Sequence, residues 1–91
     1  MIKVTKISPL ENYKLKLVFS DGTAGIYDLA QFVARTGPMI APLREPDFFK
    51  RVFLEGGAPT WPNGYDIAPW ALHKELQDAG ILKPADAHAA E

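Results

Sequence analysis

Ninety-one residues with 47% hydrophobic and 23% charged side chains describe one ordinary globular domain; at this length only about 60–65% of the unfolded surface is buried on folding, so the core is thin. The absence of cysteine excludes disulfides, thiolate metal ligands and cysteine nucleophiles. Ten Lys and Arg against eleven Asp and Glu leave a net charge of -1, unlike a dedicated nucleic-acid binder, and no apolar run approaches the roughly 20 residues that span a bilayer.

Met1-Ile2-Lys3-Val4 enters strand-like alternation directly, with no basic segment leading into an apolar core, so a cytoplasmic protein is expected. The run from Ile2 to Ile7 ends at Ser8-Pro9 and reads as a first strand. Tyr13, Leu15, Leu17 and Phe19 then alternate with Lys14, Lys16 and Val18, the period of two of a strand with one buried face. Asp21-Gly22 reads as a two-residue hairpin turn, which pairs Ser20 with Thr23, Phe19 with Ala24 and Leu17 with Ile26. Together these segments predict a three-strand meander.

At Tyr27-Asp28 the period changes, since Leu29, Phe32 and Val33 sit three and four apart. Asp28 is placed to cap a short helix, Gln31 stands at the capping-box position, and Tyr27 is placed to staple onto Phe32. Gly37-Pro38 stops that helix, and Pro38, Pro42 and Pro46 make the intervening segment an irregular wrap with Ile40 and Leu43 inward. Pro46 opens a second short helix carrying Phe48 and Phe49, and a strand over Val52 to Leu54 precedes Gly56-Gly57.

A second hairpin is expected to pair Pro59–Trp61 with Tyr65–Ile67. Pro69 begins a last helix with Leu72, Leu76 and Ala79 on one stripe, and Gly80 ends it in the left-handed conformation, with Ile81 and Leu82 folding back. The expectation is an α+β fold: a small antiparallel sheet, built from the N-terminal meander plus a second hairpin, with two to three short helices. Residues 1–82 form the single domain, and residues 83–91, which lack a large apolar side chain, form a flexible tail.

The most distinctive segment is Trp61-Pro62-Asn63-Gly64-Tyr65-Asp66-Ile67. A plain Asn-Gly turn would put Pro62 where a strand donor is needed, so the sequence selects a type I turn with Gly64 as a left-handed bulge. Trp61 and Tyr65 flank that turn. They serve either to cover the thin core or, with Asp66 and Trp70, to contact a protein partner, since Trp and Tyr are favoured interface anchors. A second candidate surface is the lysine group Lys3, Lys6, Lys14 and Lys16, opposed in the first twenty residues by Glu11 alone. It reads as the solvated face of edge strands or as a weak nucleic-acid patch.

Reaction chemistry is not evident. Asp66 with His73 or Glu75 is a weak acid–base candidate, and His73 and His88 lack metal-ligand spacing. Neither Ser8 nor Ser20 sits in a nucleophile elbow, and Gly22 and Gly25 lie within a hairpin and not in a phosphate loop. No enzyme, metal site or cofactor is expected.

The chain resembles the small bacterial and phage proteins grouped as domain of unknown function 2442. The resemblance rests on Phe19-Ser20-Asp21-Gly22-Thr23 leading to Asp28-Leu29, on Pro42-Leu43-Arg44-Glu45-Pro46-Asp47-Phe48-Phe49, and on Trp61 to Ile67 with Pro69 and Leu72. It implies a compact α+β domain, sometimes joined to a helix-turn-helix domain and often encoded beside small proteins suspected of toxin-like roles, without an established activity. Trp70-Ala71 departs from that pattern. The function expected is thus a non-catalytic protein-interaction module, antitoxin-like or accessory to a neighbouring gene product and capable of homodimerising. The alternative is a nucleic-acid-associated regulator using the lysines, and a small enzyme ranks last.

Overall fold

A computed structural model describes residues 1–85 of the chain. Strands β1 (Val4–Leu10), β2 (Lys14–Phe19) and β3 (Thr23–Asp28) form the meander, and β6 (Lys83–Pro84) adds a fourth strand in the antiparallel order β1-β2-β3-β6. Strands β4 (Phe53–Glu55) and β5 (Ala58–Thr60) form a separate hairpin. Helix α1 (Ala30–Val33), a 3-10 turn (Ala41–Arg44), α2 (Pro46–Phe49) and α3 (Pro69–Asp78) complete the α+β fold. Among the described residues no helix is long and apolar enough to cross a membrane.

The register of β2 against β3 corrects the expected one. Leu17 faces Gly25 and Lys16 faces Ile26, one residue away from the pairing that a two-residue Asp-Gly turn would give. The loop holds three residues, Ser20-Asp21-Gly22: the Gly22 amide donates to the Phe19 carbonyl at 3.0 Å, and Gly22 takes a φ of 84°. Because side chains alternate, a one-residue slip exchanges the faces of a whole strand. Ile26 is consequently 41% exposed, while Gly25 turns inward. Helix α3 explains the choice, since a Cβ on Gly25 would stand 3.2 Å from Leu76 Cδ1 and 3.5 Å from Leu82 Cδ2. A bare strand backbone is what allows α3 to pack so closely.

The pairings sort the four-stranded sheet into two faces. Val4, Phe19, Leu17 and Leu15 point inward, where they join Leu29, Val33, Leu43, Phe49, Trp61, Leu72 and Leu76 in the core. The other face carries Lys6, Val18, Ala24 and Lys83 in one row, Ser8, Lys16 and Ile26 in the next, and Leu10, Lys14 and Asp28 in the third. Strand β1 runs through Pro9 to Leu10, further than its proline suggested. As an edge strand it has one side without a ladder partner, so the missing donor costs little. Thr5 is the extra residue of a bulge between Val4 and Lys6.

Tyr13, expected in strand β2, instead joins Asn12 in the left-handed region, with φ of 60° and 62°. That conformation is costly for a non-glycine residue. It is held by three contacts: the Leu29 amide donates to the Tyr13 carbonyl at 2.8 Å, the Tyr13 hydroxyl donates to the Arg44 carbonyl, and the ring sits edge-on to Phe49 at 5.4 Å. The second hairpin is also relocated. Its ladder is β4–β5, closed by Gly56-Gly57 at φ of 61° and 84°, and only a single bridge, Thr60 to Asp66, extends it towards the expected Tyr65–Ile67 strand.

Helix α3 begins at Pro69 and buries Leu72 and Leu76. Its end is a Schellman motif: the Ile81 amide donates to the Leu76 carbonyl at 3.1 Å and the Gly80 amide to Gln77 at 3.0 Å, with Gly80 at a φ of 72°. The chain then continues straight into β6. Placing the start of a loose tail at residue 83 is thereby corrected, because Lys83 and Pro84 pair with Ala24 and Thr23, and the Ala85 amide donates to the Gly22 carbonyl at 2.8 Å. The expectation for residues 86–91 lies outside the described residues.

Candidate functional site

The segment from Trp61 to Ile67 forms the predicted turn. The Gly64 amide donates to the Trp61 carbonyl at 2.8 Å, the Trp61 amide donates to Tyr65 at 2.8 Å, and Gly64 has a φ of 89°. Pro62 and Asn63 keep negative φ, as a type I turn requires. Asn63 fastens the turn from within, its Oδ1 accepting the Tyr65 amide at 3.2 Å, and from outside, its Nδ2 donating to the Met39 carbonyl at 3.0 Å. The Phe19–Thr23 loop repeats the device, with Asp21 Oδ1 accepting the Thr23 amide at 3.1 Å. Two turns of one design thus carry two of the motifs that mark the sequence.

Of the four residues proposed to bind a partner, the structure separates one from the rest. Trp61 is completely buried; its Nε1 donates to the Phe49 carbonyl at 3.0 Å and its ring lies 5.9 Å from that of Phe49. Its indole is core and offers nothing to a partner. Tyr65 is half-buried between Trp61 and Phe32, at 6.3 and 5.9 Å, and burial first, then the Asp66 carboxylate, raises its hydroxyl pKa. Asp66 is exposed on the bridge to Thr60. Trp70, in the first turn of α3, leaves 63% of its surface in solvent.

His73 does not meet Asp66 in a hydrogen bond. Its Nε2 lies 2.8 Å from Asp21 Oδ2, and its ring stands edge-on to Phe19 at 5.0 Å. Asp21 also accepts from the Thr23 hydroxyl at 2.6 Å. The Thr23 hydroxyl foremost, with His73 adding, holds the Asp21 carboxyl below its ordinary range. The pair latches α3 to the β2–β3 turn. A second latch joins the Tyr27 hydroxyl to Glu75 on the same helix, and burial, aided by that carboxylate, raises the Tyr27 pKa. Among the described residues no group of three or more His, Asp or Glu is placed to hold a metal.

The Pro42–Phe49 motif is a clamp. Arg44 Nε donates to the Val33 carbonyl at 2.7 Å, and an Arg44 terminal nitrogen donates to Arg35 at 2.5 Å, which satisfies carbonyls at the end of α1. Leu43 and Phe49 are buried beneath it. Asp28 does serve the start of α1, its Oδ1 accepting the Ala30 amide at 2.9 Å. A shallow cleft of about 240 Å³ lies between this clamp and the β1–β2 loop, bordered by Leu10, Tyr13, Phe49, Glu11 and Lys50. Its two charged groups satisfy each other in an exposed ion pair at 2.7 Å.

Of the lysines, Lys6, Lys14 and Lys16 share the outer face of the sheet, Lys6 exposed and the other two half-buried, whereas Lys3 precedes the paired rows and sets its Cβ against Gly57. Lys83, expected at the start of a tail, stands on the same face opposite Ala24. No local signal marked it, because its position depends on α3 returning the chain to the sheet edge.

These features define a small α+β domain whose sequence motifs serve as structural fasteners. The chain matches the family described as "Protein of unknown function (DUF2442)" over residues 4–77 and belongs to that family. Neither the curated proteins nor the solved structures gave a match.

Proposed function

We propose that this domain is a non-catalytic protein-interaction module, an accessory or antitoxin-like partner of a neighbouring gene product, with Trp70 as its anchor and Asp66 and Tyr65 beside it in sequence. One observation carries this reading: an indole 63% exposed on the first turn of the longest helix, in a domain whose other tryptophan is wholly buried. Tryptophan is over-represented among the residues that dominate binding energy at protein interfaces, and its ring brings a large contact area at little entropy. The titratable groups point the same way, since His73, Asp21, Tyr27 and Glu75 are engaged in fastening α3.

Co-expression with the products of the flanking genes tests the proposal. Wild-type protein is expected to co-purify with one of them, and Trp70→Ala to abolish this while keeping the wild-type circular dichroism spectrum. Retention of the partner by a folded Trp70→Ala variant, or absence of any co-purifying product with the wild type, defeats it. A second copy of the chain on the same surface would instead appear as a dimer by light scattering that Trp70→Ala converts to monomer.

A further inference from the structure

The sheet face turned away from the core gathers charge to an extent that overall composition conceals. Among the described residues, Lys6, Lys14, Lys16 and Lys83 stand on it with Asp28 as the only acid in its rows. Among the described residues, these four lysines and Asp28 give the paired rows a formal charge of +3, in a sequence whose net charge is -1. Among the described residues none of the four lysines forms an ion pair, and Asp28 is turned to the Ala30 amide.

The spacing is ordered. Lys14 and Lys16 lie two residues apart on β2, about 6.5 Å, and Lys6 continues the line one row on and one strand over, about 8 Å away. That is a diagonal track of cations at separations comparable with those between successive phosphates of a nucleic-acid strand.

The chemistry of the face selects among anionic occupants. Lysine is depleted at protein–protein interfaces, which favour aromatic anchors and Arg, and the paired rows here contain neither. An ammonium on a flexible stem acts as a point charge well suited to phosphate. The apolar members of the rows, such as Val18 and Ile26, are aliphatic, so the face offers no aromatic platform on which a base could stack. We infer that the lysine-bearing outer face of the four-stranded sheet, with Lys6 and Lys83 exposed and Lys14 and Lys16 half-buried, is a docking surface for the phosphate backbone of nucleic acid, indifferent to base sequence, with these four lysines as its contacts. This surface differs from the one around Trp70, so either can fail without the other.

Fluorescence anisotropy with a labelled mixed-sequence DNA oligonucleotide, single-stranded in one arm and duplex in the other, decides the matter. Saturable binding at low salt is expected in at least one arm, with log K falling against log salt at a slope of about -3 for four phosphate contacts. The double substitution Lys14→Glu and Lys16→Glu is expected to weaken binding about tenfold or more, and Lys74→Glu on α3 to leave it nearly unchanged. Should the reversal disturb folding, Lys6→Gln with Lys83→Gln, at two exposed positions, is expected to lower both affinity and slope. No saturable binding in either arm overturns the inference. So does binding that ignores these lysines, or a preference for polyglutamate over DNA, which would assign the face to an acidic protein.

Discussion

The two tryptophans lie nine residues apart in sequence and occupy opposite environments, Trp61 wholly buried and Trp70 63% exposed. Both are rigid, largely apolar and adjacent to a proline, so residue type alone does not distinguish them. The difference arises from what each backbone is bound to. Trp61 closes a turn whose strands are fixed on either side by Thr60 and Tyr65, and its N–H finds the Phe49 carbonyl at the end of α2. Trp70 stands in the opening turn of a helix whose inward stripe is already filled by Leu72 and Leu76. The core side of the molecule is therefore over-determined by mutual contacts, and the Trp70 side is not.

Substitutions can break or sharpen this contrast. The largest effect is expected from Trp61→Ala, which leaves a cavity and removes the indole's hydrogen bond to the Phe49 carbonyl, leaving that oxygen with the Val52 amide alone, and costs about 3–5 kcal/mol, a large share of the stability of a small domain. Urea unfolding would show it, and a loss below that of an ordinary surface change would mean that the indole is not the core's keystone. Next comes Arg44→Ala, which frees the carbonyls of Val33 and Arg35 and is expected to cost about 1–2 kcal/mol by the same measurement.

Asp21→Asn probes the latch between α3 and the β2–β3 turn. The Asp21 carboxyl titrates below its ordinary 3.8 in the folded protein, so its contribution is fully present above that value and is lost as pH falls through the lower folded one. Thermal midpoints of wild type and Asp21→Asn should differ above pH 4 and converge below it; parallel curves would show that the latch contributes nothing. Smallest of all is Trp70→Ala, whose unfolding midpoint should correspond to a change within about 0.5 kcal/mol. A larger loss would place Trp70 in the core's ledger and weaken its role as a partner anchor.

The elements that sequence reasoning located well are those fixed by neighbouring residues. Pro62 fixes its own φ and removes a donor, which selects the bulged turn with Gly64; Gly80 after an apolar stripe selects the Schellman end of α3. Asp21-Gly22 shows the same logic misapplied. Without a proline to exclude it, a two-residue turn looked sufficient, yet the Asp21 side chain builds the same three-residue loop that Asn63 builds. The candidate site was legible as a list of residues but not as a surface. Tyr65, Asp66 and Trp70 retain some solvent contact, Trp61 does not, and Lys83 enters a basic face that its sequence position gave no reason to expect.

The sequence by itself determined much of the local geometry of this protein, namely the bulged turn at Trp61–Tyr65, the end of α3, the strand periodicity and the α+β class, because those depend on φ preferences and on apolar spacing within a few residues. Tertiary structure decided the register of β3, the left-handed Tyr13, the burial of Trp61 and the meeting of Lys83 with the other lysines. Each of these rests on contacts between distant segments: α3 on Gly25, Arg44 with Phe49 and Leu29 on Tyr13, α2 on Trp61, and β6 on β3. Such contacts exist only once the chain has closed on itself, and they set which face of an already determined element meets the core and which meets water.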